Sequence, residues 1–243
     1  MDLREIPAGH MARHPWELAR ADCLLRLIEM SDVTRIGDVG AGDLFFARRL
    51  RGHTRAEVFA VDTGYTASAE IDGILLRRNL AAIPDASLDL AFLMDVLEHE
   101  RDDGRLVAET VEKLRPGGRL LVTVPAYGFL FSAHDVRLKH LRRYGRAQLH
   151  ELLRGLDVDS AQSFHFFTSL FLIRCAQVLL ARFRLDGGVG GIGAWRLSET
   201  HSTTRCLVAI LRTDFTLNRW LASRGPHLPG LSICLTARKK PVS

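Results

Sequence analysis

The sequence predicts an α/β protein, a single domain over residues 1–243 built on a doubly wound, mostly parallel β-sheet. Two observations predict this class. Apolar runs of strand length alternate with helical patterns, which is typical of parallel strands joined by helices. The runs are also nearly all apolar rather than alternating, as expected for strands that are covered on both faces.

The predicted elements follow from these patterns in chain order. An N-terminal helical segment, residues 1–31, has the apolar positions Leu18, Leu24, Leu25 and Ile28 on one helical face. Next come strand "IGDVG", a helix over residues 44–50, strands "EVFAVD", "GILLRRN" and "SLDLAFLMD", a helix "DDGRLVAETVEKLRPGG" and strand "RLLVTVP". The Pro-Gly-Gly run is expected to close that helix, because these residues do not continue one.

The pattern changes after Pro125. Residues 126–145 are dense in His, Arg and Tyr and are predicted to be an active-site insertion, followed by a helix "RAQLHELLRGL". Residues 164–224 are predicted to be a helical cap or lid, which contains an apolar helix over 164–185 and a helix "TRCLVAILRTDFTLNRWLAS". The five glycines of residues 186–193 would be its hinge. "LSICLTARK" is predicted to be the final strand.

Charge and composition restrict the function classes. The formal net charge is +5 and the arginines are dispersed, so no nucleic-acid partner is expected, whereas an anionic ligand or peripheral contact with a membrane is compatible. The four cysteines lack metal-type spacing, so no metal site is predicted, and a cytoplasmic location is expected. The longest apolar run is interrupted by Arg174, Arg182 and Arg184, which is unlike a membrane span.

Polar residues close four successive predicted strands: Asp38, Asp62, Asn79 and Asp95. Because ligands bind at the carboxyl ends of strands in such sheets, these residues predict one binding edge. The loop "GAGDLFF" lacks the third glycine of a dinucleotide site and places Asp43 where a pyrophosphate would be repelled. The sequence therefore favours a nucleoside without phosphates, with close approach at Gly40 and Gly42.

These stretches resemble the class I S-adenosylmethionine-dependent methyltransferases. The resemblance is carried by "DVGAGD", "AVD", "RRNLAAIPDASLDLAFLMDVLEH", "LRPGGRLLVTVP" and "AHDVRLKHLRRYGRAQL". It implies a Rossmann-like, seven-stranded sheet with an antiparallel last strand, and S-adenosyl-L-methionine as cofactor. It also implies cofactor-binding roles, which fall on Asp38, Gly40, Gly42, Asp62, Asn79 and Asp95. Leu44 departs from the family, which usually has a small residue there.

Methyl transfer requires an acceptor held in line with the methyl group and, for hydroxyl or ammonium acceptors, a base. The candidate catalytic residues are His99, His134, Asp135 and His140, with His134 and Asp135 as the preferred pair. Arg142 and Arg143 are predicted to clamp an anionic group of the acceptor, because guanidinium presents a paired donor fork. Tyr127 and Tyr144 complete the predicted substrate-binding set.

The predicted function is methyl transfer to a small-molecule acceptor with an O, N or S nucleophile, either hydrophobic or anionic. Two alternatives remain open: a non-catalytic binding module of the same fold and a NAD(P)-dependent oxidoreductase. The second alternative predicts a third loop glycine, which the sequence lacks. The apolar stretch at 164–185 is compatible with contact to a lipid-like substrate or with an oligomer interface.

Overall fold

In a computed structural model of the chain, residues 12–28, 31–183 and 195–241 are described. They form one eight-stranded sheet with helices on both faces. The helices are α1 (Pro15–Leu27), α2 (Phe45–His53), α3 (Asp103–Lys113), α4 (Ala133–Arg137), α5 (Arg146–Glu151), α6 (Thr168–Phe183) and α7 (Ser202–Ala222). The strands are β1 (Arg35–Val39), β2 (Glu57–Val61), β3 (Ala69–Ile71), β4 (Ile74–Arg77), β5 (Leu88–Met94), β6 (Leu114–Pro125), β7 (Val158–Phe166) and β8 (Ser232–Lys239).

The strand order is β3-β4-β2-β1-β5-β6-β8-β7. The five strands from β4 to β6 in this order pair in parallel, and β8 runs antiparallel to both β6 and β7. The predicted fold class, including the antiparallel last strand, is therefore confirmed. One short strand is additional: β3 pairs with β4 as a hairpin whose turn residues, Asp72 and Gly73, both have positive φ. This is the backbone that a two-residue Asp-Gly turn favours.

Strand β7 was not predicted, and the apolar helix begins later than predicted. Residues 164–166 belong to β7, where Phe164 pairs with Cys234 and Phe166 with Ser232 of β8, and α6 begins only at Thr168. Phe164 and Phe166 both contact the ring of Phe215 on α7. The aromatic residues that suggested a helix therefore anchor a strand to the core.

The predicted closure of α3 by Pro-Gly-Gly is also wrong. The helix ends at Lys113, and Leu114 already has extended backbone with φ −69° and ψ 136°. The Pro-Gly-Gly run lies inside β6, where the pairing with β5 shifts register between Leu88 and Leu90. Gly117, with φ 74°, supplies the left-handed residue that this irregularity needs.

Two hydrophobic clusters cover the two faces of the sheet. One includes Leu24 of α1, Leu50 of α2 and Phe215 of α7, and the other includes Val107 of α3 and Leu149 of α5. The strands are thus buried from both sides, as their apolar composition predicts. Their carboxyl ends remain at one edge, which is where the candidate site lies.

The functional roles predicted for segments of the chain, namely an active-site insertion and a helical cap, stay predictions. The N-terminal segment contains α1, and residues 126–145 contain α4 and a short 3-10 helix at Gly128–Leu130. The proposed glycine hinge at 186–193 lies outside the described residues. Within the part of the chain that the structure describes, no helix is long and apolar enough to cross a membrane.

Candidate active site

The four predicted strand-end residues do lie along one edge of the sheet. Asp38 is within β1, Asp62 directly follows β2, Asn79 follows β4, and Asp95 directly follows β5. These strands are adjacent and parallel, so their carboxyl ends are neighbours. Asn79 is exposed at the outer end of this edge, whereas Asp38 is buried near its centre. The edge is therefore a row of oxygen acceptors, as the sequence predicts.

Asp38 is the most unusual of these residues. It is 1% exposed, and its Oδ2 atom has no hydrogen-bond partner among the described residues. Burial raises the pKa of its carboxyl to about 7, with the nearby Asp62 acting in the same direction and Arg20 opposing it. A buried carboxylate without a donor is costly, which makes this oxygen a suitable partner for a ligand's ammonium group.

Asp62 organises the glycine loop from the end of β2. Its Oδ2 accepts the backbone N–H of Gly42 at 2.9 Å, and its Oδ1 accepts that of Gly64 at 2.8 Å. The hydroxyl of Tyr65 donates to the carbonyl of Gly42 at 3.0 Å. Because a carboxylate has about four acceptor positions, Asp62 retains capacity for the two hydroxyls of a ribose.

Gly40 and Leu44 show why the loop has its particular sequence. A Cβ atom on Gly40 would lie 2.3 Å from Cγ2 of Val96, and Gly40 has φ 76°, so only glycine fits. The close approach at Gly40 is thus to a side chain of the protein itself. Leu44 has φ 66° and keeps the left-handed backbone that a small residue would adopt, while its side chain is buried in the core. Leucine in place of a small residue therefore adds apolar packing in the core but strains the backbone.

Two arginines near the N-terminus pair with acids of this edge, which the sequence analysis did not predict. Arg13 forms an ion pair with Asp43, so the charge that was expected to repel phosphates is partly compensated. Arg20, on α1, forms an ion pair with Asp95 and lies over the ring of Trp16. Isolated arginines in a helical pattern carry no sequence signal for such long-range pairing.

Asp135 is the centre of a buried network in the 126–145 segment. Its carboxylate accepts from Nδ1 of His140 at 3.0 Å, Nε of Arg143 at 2.7 Å and the backbone N–H of Ser132 at 2.9 Å. These hydrogen bonds and the positive charge of Arg143 hold the pKa of Asp135 well below its usual range despite complete burial. The carboxylate of Asp135 thus pairs with His140 and not with His134, and the catalytic role predicted for His134 and Asp135 stays a prediction. The reason for this pairing is geometric, since adjacent residues of a helix point in different directions.

The other predicted substrate residues of this segment are also engaged within the protein. Arg142 donates to Asp103 at 2.8 Å and to the carbonyl of Arg101 at 3.2 Å. The hydroxyl of Tyr144, which is 3% exposed, donates to Asp103 at 2.7 Å and contacts the carbonyl of Leu97 at 3.0 Å. These contacts attach the segment to the start of α3, and they oppose the predicted role of Arg142 and Arg143 as an anion clamp.

Tyr127 lies in an aromatic cluster beside the edge, together with Phe129, His165 and Phe171. Its ring stacks on that of His165 with centroids 5.0 Å apart and planes at 6°. Burial lowers the pKa of His165 to about 4, so this imidazole is neutral at pH 7. Phe129 is 61% exposed, so the cluster has an apolar face toward solvent. His165 was missed because the strand that carries it, β7, was not predicted.

Glu98 is a further buried acid, and it was not among the predicted site residues. It is 0% exposed, neither carboxylate oxygen has a hydrogen-bond partner within the described ranges, and burial raises its pKa to about 8. Its neighbour His99 lies edge-on to the ring of His140, with centroids 4.8 Å apart. The predicted catalytic residues His99, Asp135 and His140 are thus brought together, with Glu98 as an unexpected member.

Comparison with known proteins identifies the kind of domain that carries these residues. Residues 37–122 match the sequence family described as a methyltransferase domain, and this match covers β1 to β6 with the acidic edge. A probable S-adenosylmethionine-dependent methyltransferase of Mycolicibacterium smegmatis is 34% identical over 118 residues. Residues 37–122 of the chain form a methyltransferase domain.

Solved structures of methyltransferases share this fold. A phosphoethanolamine N-methyltransferase 2 of Haemonchus contortus, in complex with phosphomonomethylethanolamine and S-adenosylhomocysteine, has a TM-score of 0.56 at 16% identity over 93% of the chain. An S-adenosylmethionine-dependent methyltransferase of Archaeoglobus fulgidus has a TM-score of 0.53 at 15% identity, covering 92% of this chain and 94% of that one.

The methyltransferase domain corresponds to only part of some of these relatives. The alignment with the Mycolicibacterium protein covers 46% of this chain and 42% of that protein, and the chain spans 53% of the Haemonchus enzyme. The family and fold predictions are confirmed, whereas the roles of individual site residues stay predictions. A dinucleotide-dependent oxidoreductase is not supported by these matches.

The raised pKa of Asp38 leads to a prediction for the pH dependence of cofactor binding. We expect the affinity for S-adenosylhomocysteine to fall as pH decreases below about 7, because protonation removes the charge that would pair with the ligand's ammonium group. Below this pKa the decrease approaches about tenfold per pH unit, and above pH 8 the affinity should be nearly constant. Titration calorimetry from pH 5.5 to 8.5 measures this dependence.

Asp38→Asn is the control for this expectation. The variant should bind more weakly at pH 8, because an amide cannot form an ion pair, and its affinity should change little over the same range. A wild-type affinity that does not vary between pH 5.5 and 8.5 would exclude Asp38 as the partner of the ammonium group.

Proposed function

We propose that this protein transfers a methyl group from S-adenosyl-L-methionine to a small-molecule acceptor with an apolar body. The observation that carries the proposal is Asp38, a buried carboxylate with an unpartnered oxygen beside Asp62 at the edge of a methyltransferase domain. Asp38 would hold the ammonium group of the cofactor, Asp62 its ribose hydroxyls and Asn79 its adenine. The cofactor supplies an electrophilic methyl group on a sulfonium.

The surroundings of the edge favour an apolar acceptor over an anionic one. Arg142 and Arg143 are both paired with carboxylates of the protein, so neither is available as a clamp without breaking an ion pair. Tyr127, Phe129 and Phe171 instead form an aromatic surface. More apolar side chains are exposed in this region of the chain, namely Phe131, Val136, Leu141, Leu172 and Ile173. A flat or aliphatic acceptor would bury this surface on binding.

His134 is the candidate general base. Burial and the nearby Arg174 lower the pKa of its imidazole, so it is neutral at pH 7 and able to accept a proton. Asp135 is less suited to this role, because its carboxylate already accepts from His140, Arg143 and Ser132. Most of the rate enhancement would come from positioning, because methyl transfer needs the acceptor atom in line with the sulfonium methyl.

A labelled-methyl transfer screen over phenols, aliphatic alcohols, amines, thiols, carboxylates and lipid extracts tests the function. Once the screen has identified an acceptor, His134→Ala should lower kcat for it by about 100-fold, which is within the contribution expected of a general base. The affinity for S-adenosylhomocysteine should be unchanged. His53→Ala, a change at an exposed histidine of α2, is the matched control. Wild-type turnover by His134→Ala would remove His134 from the base role.

One observation favours a non-catalytic binding module as a second candidate. Asp95 is paired with Arg20, and Asp62 holds the backbone of its own loop, so part of the edge is satisfied without a ligand. This candidate predicts cofactor binding by calorimetry with no transfer to any acceptor class. It also predicts that His134→Ala has no functional effect.

A further inference from the structure

Glu98 and the histidines beside it form a cluster that the methyl-transfer chemistry does not require. One potential ligand atom from each of Glu98, His99 and His140 lies within 4.8 Å of those of the other two. Glu98 follows β5 and His140 lies beyond α4, so only folding brings them together. We propose that these three residues bind one divalent transition-metal ion such as Zn²⁺. The spacing of cysteines and histidines in the sequence does not indicate this site.

The environment of the Glu98 side chain supports a metal ion at this cluster. Its carboxylate is fully buried, and neither oxygen has a hydrogen-bond partner among the described residues. Buried carboxylates are normally hydrogen-bonded, paired or bound to a metal, because desolvation of the charged group is costly. A cation bound between Glu98 and the two histidines provides the missing partner.

The orientation of His140 also supports a metal ion at this cluster. Its Nδ1 atom is 3.0 Å from Oδ1 of Asp135, whose carboxylate is itself fixed by Arg143 and Ser132. A carboxylate on Nδ1 fixes the proton there and leaves the Nε2 lone pair for a metal, which is the usual arrangement around metal-binding histidines. Asp135 is thus a positioning residue for His140.

Charge and distance are both compatible with an ion. Among the described residues, Arg20 and Arg143 are the cations that act on Glu98, but Arg20 is paired with Asp95 and Arg143 with Asp135. With bond lengths of about 2.0–2.2 Å, ligand atoms on one ion lie roughly 3–4 Å apart, so closure needs a side-chain movement of about 1 Å. His99 and His140 are only partly buried, which leaves a route to the surface.

The donor set defines the kind of ion and what else it would bind. Two imidazoles and one carboxylate suit Zn²⁺ or Co²⁺ and disfavour Mg²⁺ and Ca²⁺, which prefer oxygen ligands. Three protein ligands leave at least one coordination position for water or an added oxygen donor. One part of this inference rests on the proposed function: the open coordination position would bind a hydroxyl oxygen of the acceptor. Glu98 is only three residues from Asp95, which lies at the candidate edge.

Metal content of the full chain tests the site directly. The protein is stripped with a chelator, loaded with Zn²⁺, desalted and measured by plasma mass spectrometry; about one ion per chain is expected. Glu98→Gln and His140→Ala should each weaken Zn²⁺ binding more than about 100-fold, beyond the effect of losing an outer partner. His53→Ala should bind like the wild type. Zinc-free wild-type protein after loading, or full binding by Glu98→Gln, would overturn the proposal.

Two further measurements separate metal loss from unfolding and from cysteine binding. Glu98→Gln removes a buried carboxylate without a partner, so the metal-free variant should melt at or above the temperature of the metal-free wild type. Loading with Co²⁺ should give absorption bands in the visible region without a thiolate-to-cobalt charge-transfer band. A charge-transfer band would assign the ion to cysteine and contradict the site. Calorimetry of metal-free protein with S-adenosylhomocysteine tests the cofactor site in the absence of metal, so failure of cofactor binding, on which the proposed function depends, is distinguishable from failure of metal binding.

Discussion

Replacing Asp62 with alanine is expected to weaken binding of S-adenosylhomocysteine by roughly 100-fold or more, which corresponds to about 2.7 kcal/mol. Two effects add in this variant. The ribose loses the charged acceptor for its hydroxyls, and hydrogen bonds to charged groups contribute about 1.5–3 kcal/mol each. The backbone N–H groups of Gly42 and Gly64 also lose their acceptor, so the glycine loop is no longer held in place. Titration calorimetry at pH 8 measures the change.

The matched control for Asp62 is Asp72→Ala. Asp72 lies in the β3–β4 turn, where its largely exposed carboxylate pairs with Arg48, so its removal should leave cofactor affinity within a factor of about two. Urea unfolding of Asp62→Ala separates loss of the ligand contact from loss of the fold. Unchanged affinity in a folded Asp62→Ala variant would refute the ribose assignment.

Replacing Asp135 with alanine is expected to lower the free energy of unfolding by about 3–5 kcal/mol. The carboxylate is fully buried and is the acceptor for His140, Arg143 and Ser132. Its removal leaves the guanidinium of Arg143, whose side chain is 6% exposed, without its counter-ion. An uncompensated buried charge is far more costly than the loss of an exposed ion pair. Urea denaturation at pH 7 measures this free energy.

Glu151→Ala provides the comparison for Asp135. Glu151 pairs with Arg154 on an exposed surface, so its removal should change stability by less than about 1 kcal/mol. The depressed pKa of Asp135 gives a further check. A folded-state pKa below the unfolded value stabilises the protein above that unfolded pKa, and this contribution is lost as the pH falls toward the folded one. Equal stabilities of the wild type and Asp135→Ala at pH 7 would contradict the structural role of this network.

The positions of the parallel strands along the chain and the polar residues at their carboxyl ends were predictable because both depend on local patterns. Buried parallel strands are continuous apolar runs, and the first polar residue after each run marks its carboxyl end. Strand β7 was not predictable in this way. Its sequence, VDSAQSFHF, is polar in its first half and leads directly toward the apolar helix α6, and its pairing with β8 depends on a strand about 70 residues later.

Contacts between side chains were predicted less well than the positions of polar residues at the ends of strands. His134 and Asp135 are neighbours in the chain, yet the carboxylate of Asp135 faces His140 and Arg143. Arg20 reaches Asp95 across 75 positions of sequence, and no local pattern identifies such a pair. Glu98 was part of a recognised motif, but its significance depends on complete burial and on unpartnered oxygens, which are properties of the folded state.

The amino-acid sequence alone predicted the fold class and the edge proposed for ligand binding, because hydrophobic periodicity and strand-end residues are properties of short segments. The cofactor followed from the resemblance of these segments to a known family. Only the tertiary structure decided which of the acids are buried, which are neutralised by arginine, and which imidazoles approach Glu98. Those features arise when distant segments pack together and exclude water. Burial and the placement of counter-charges then govern the pKa values and binding capacity of Asp38, Glu98 and Asp135.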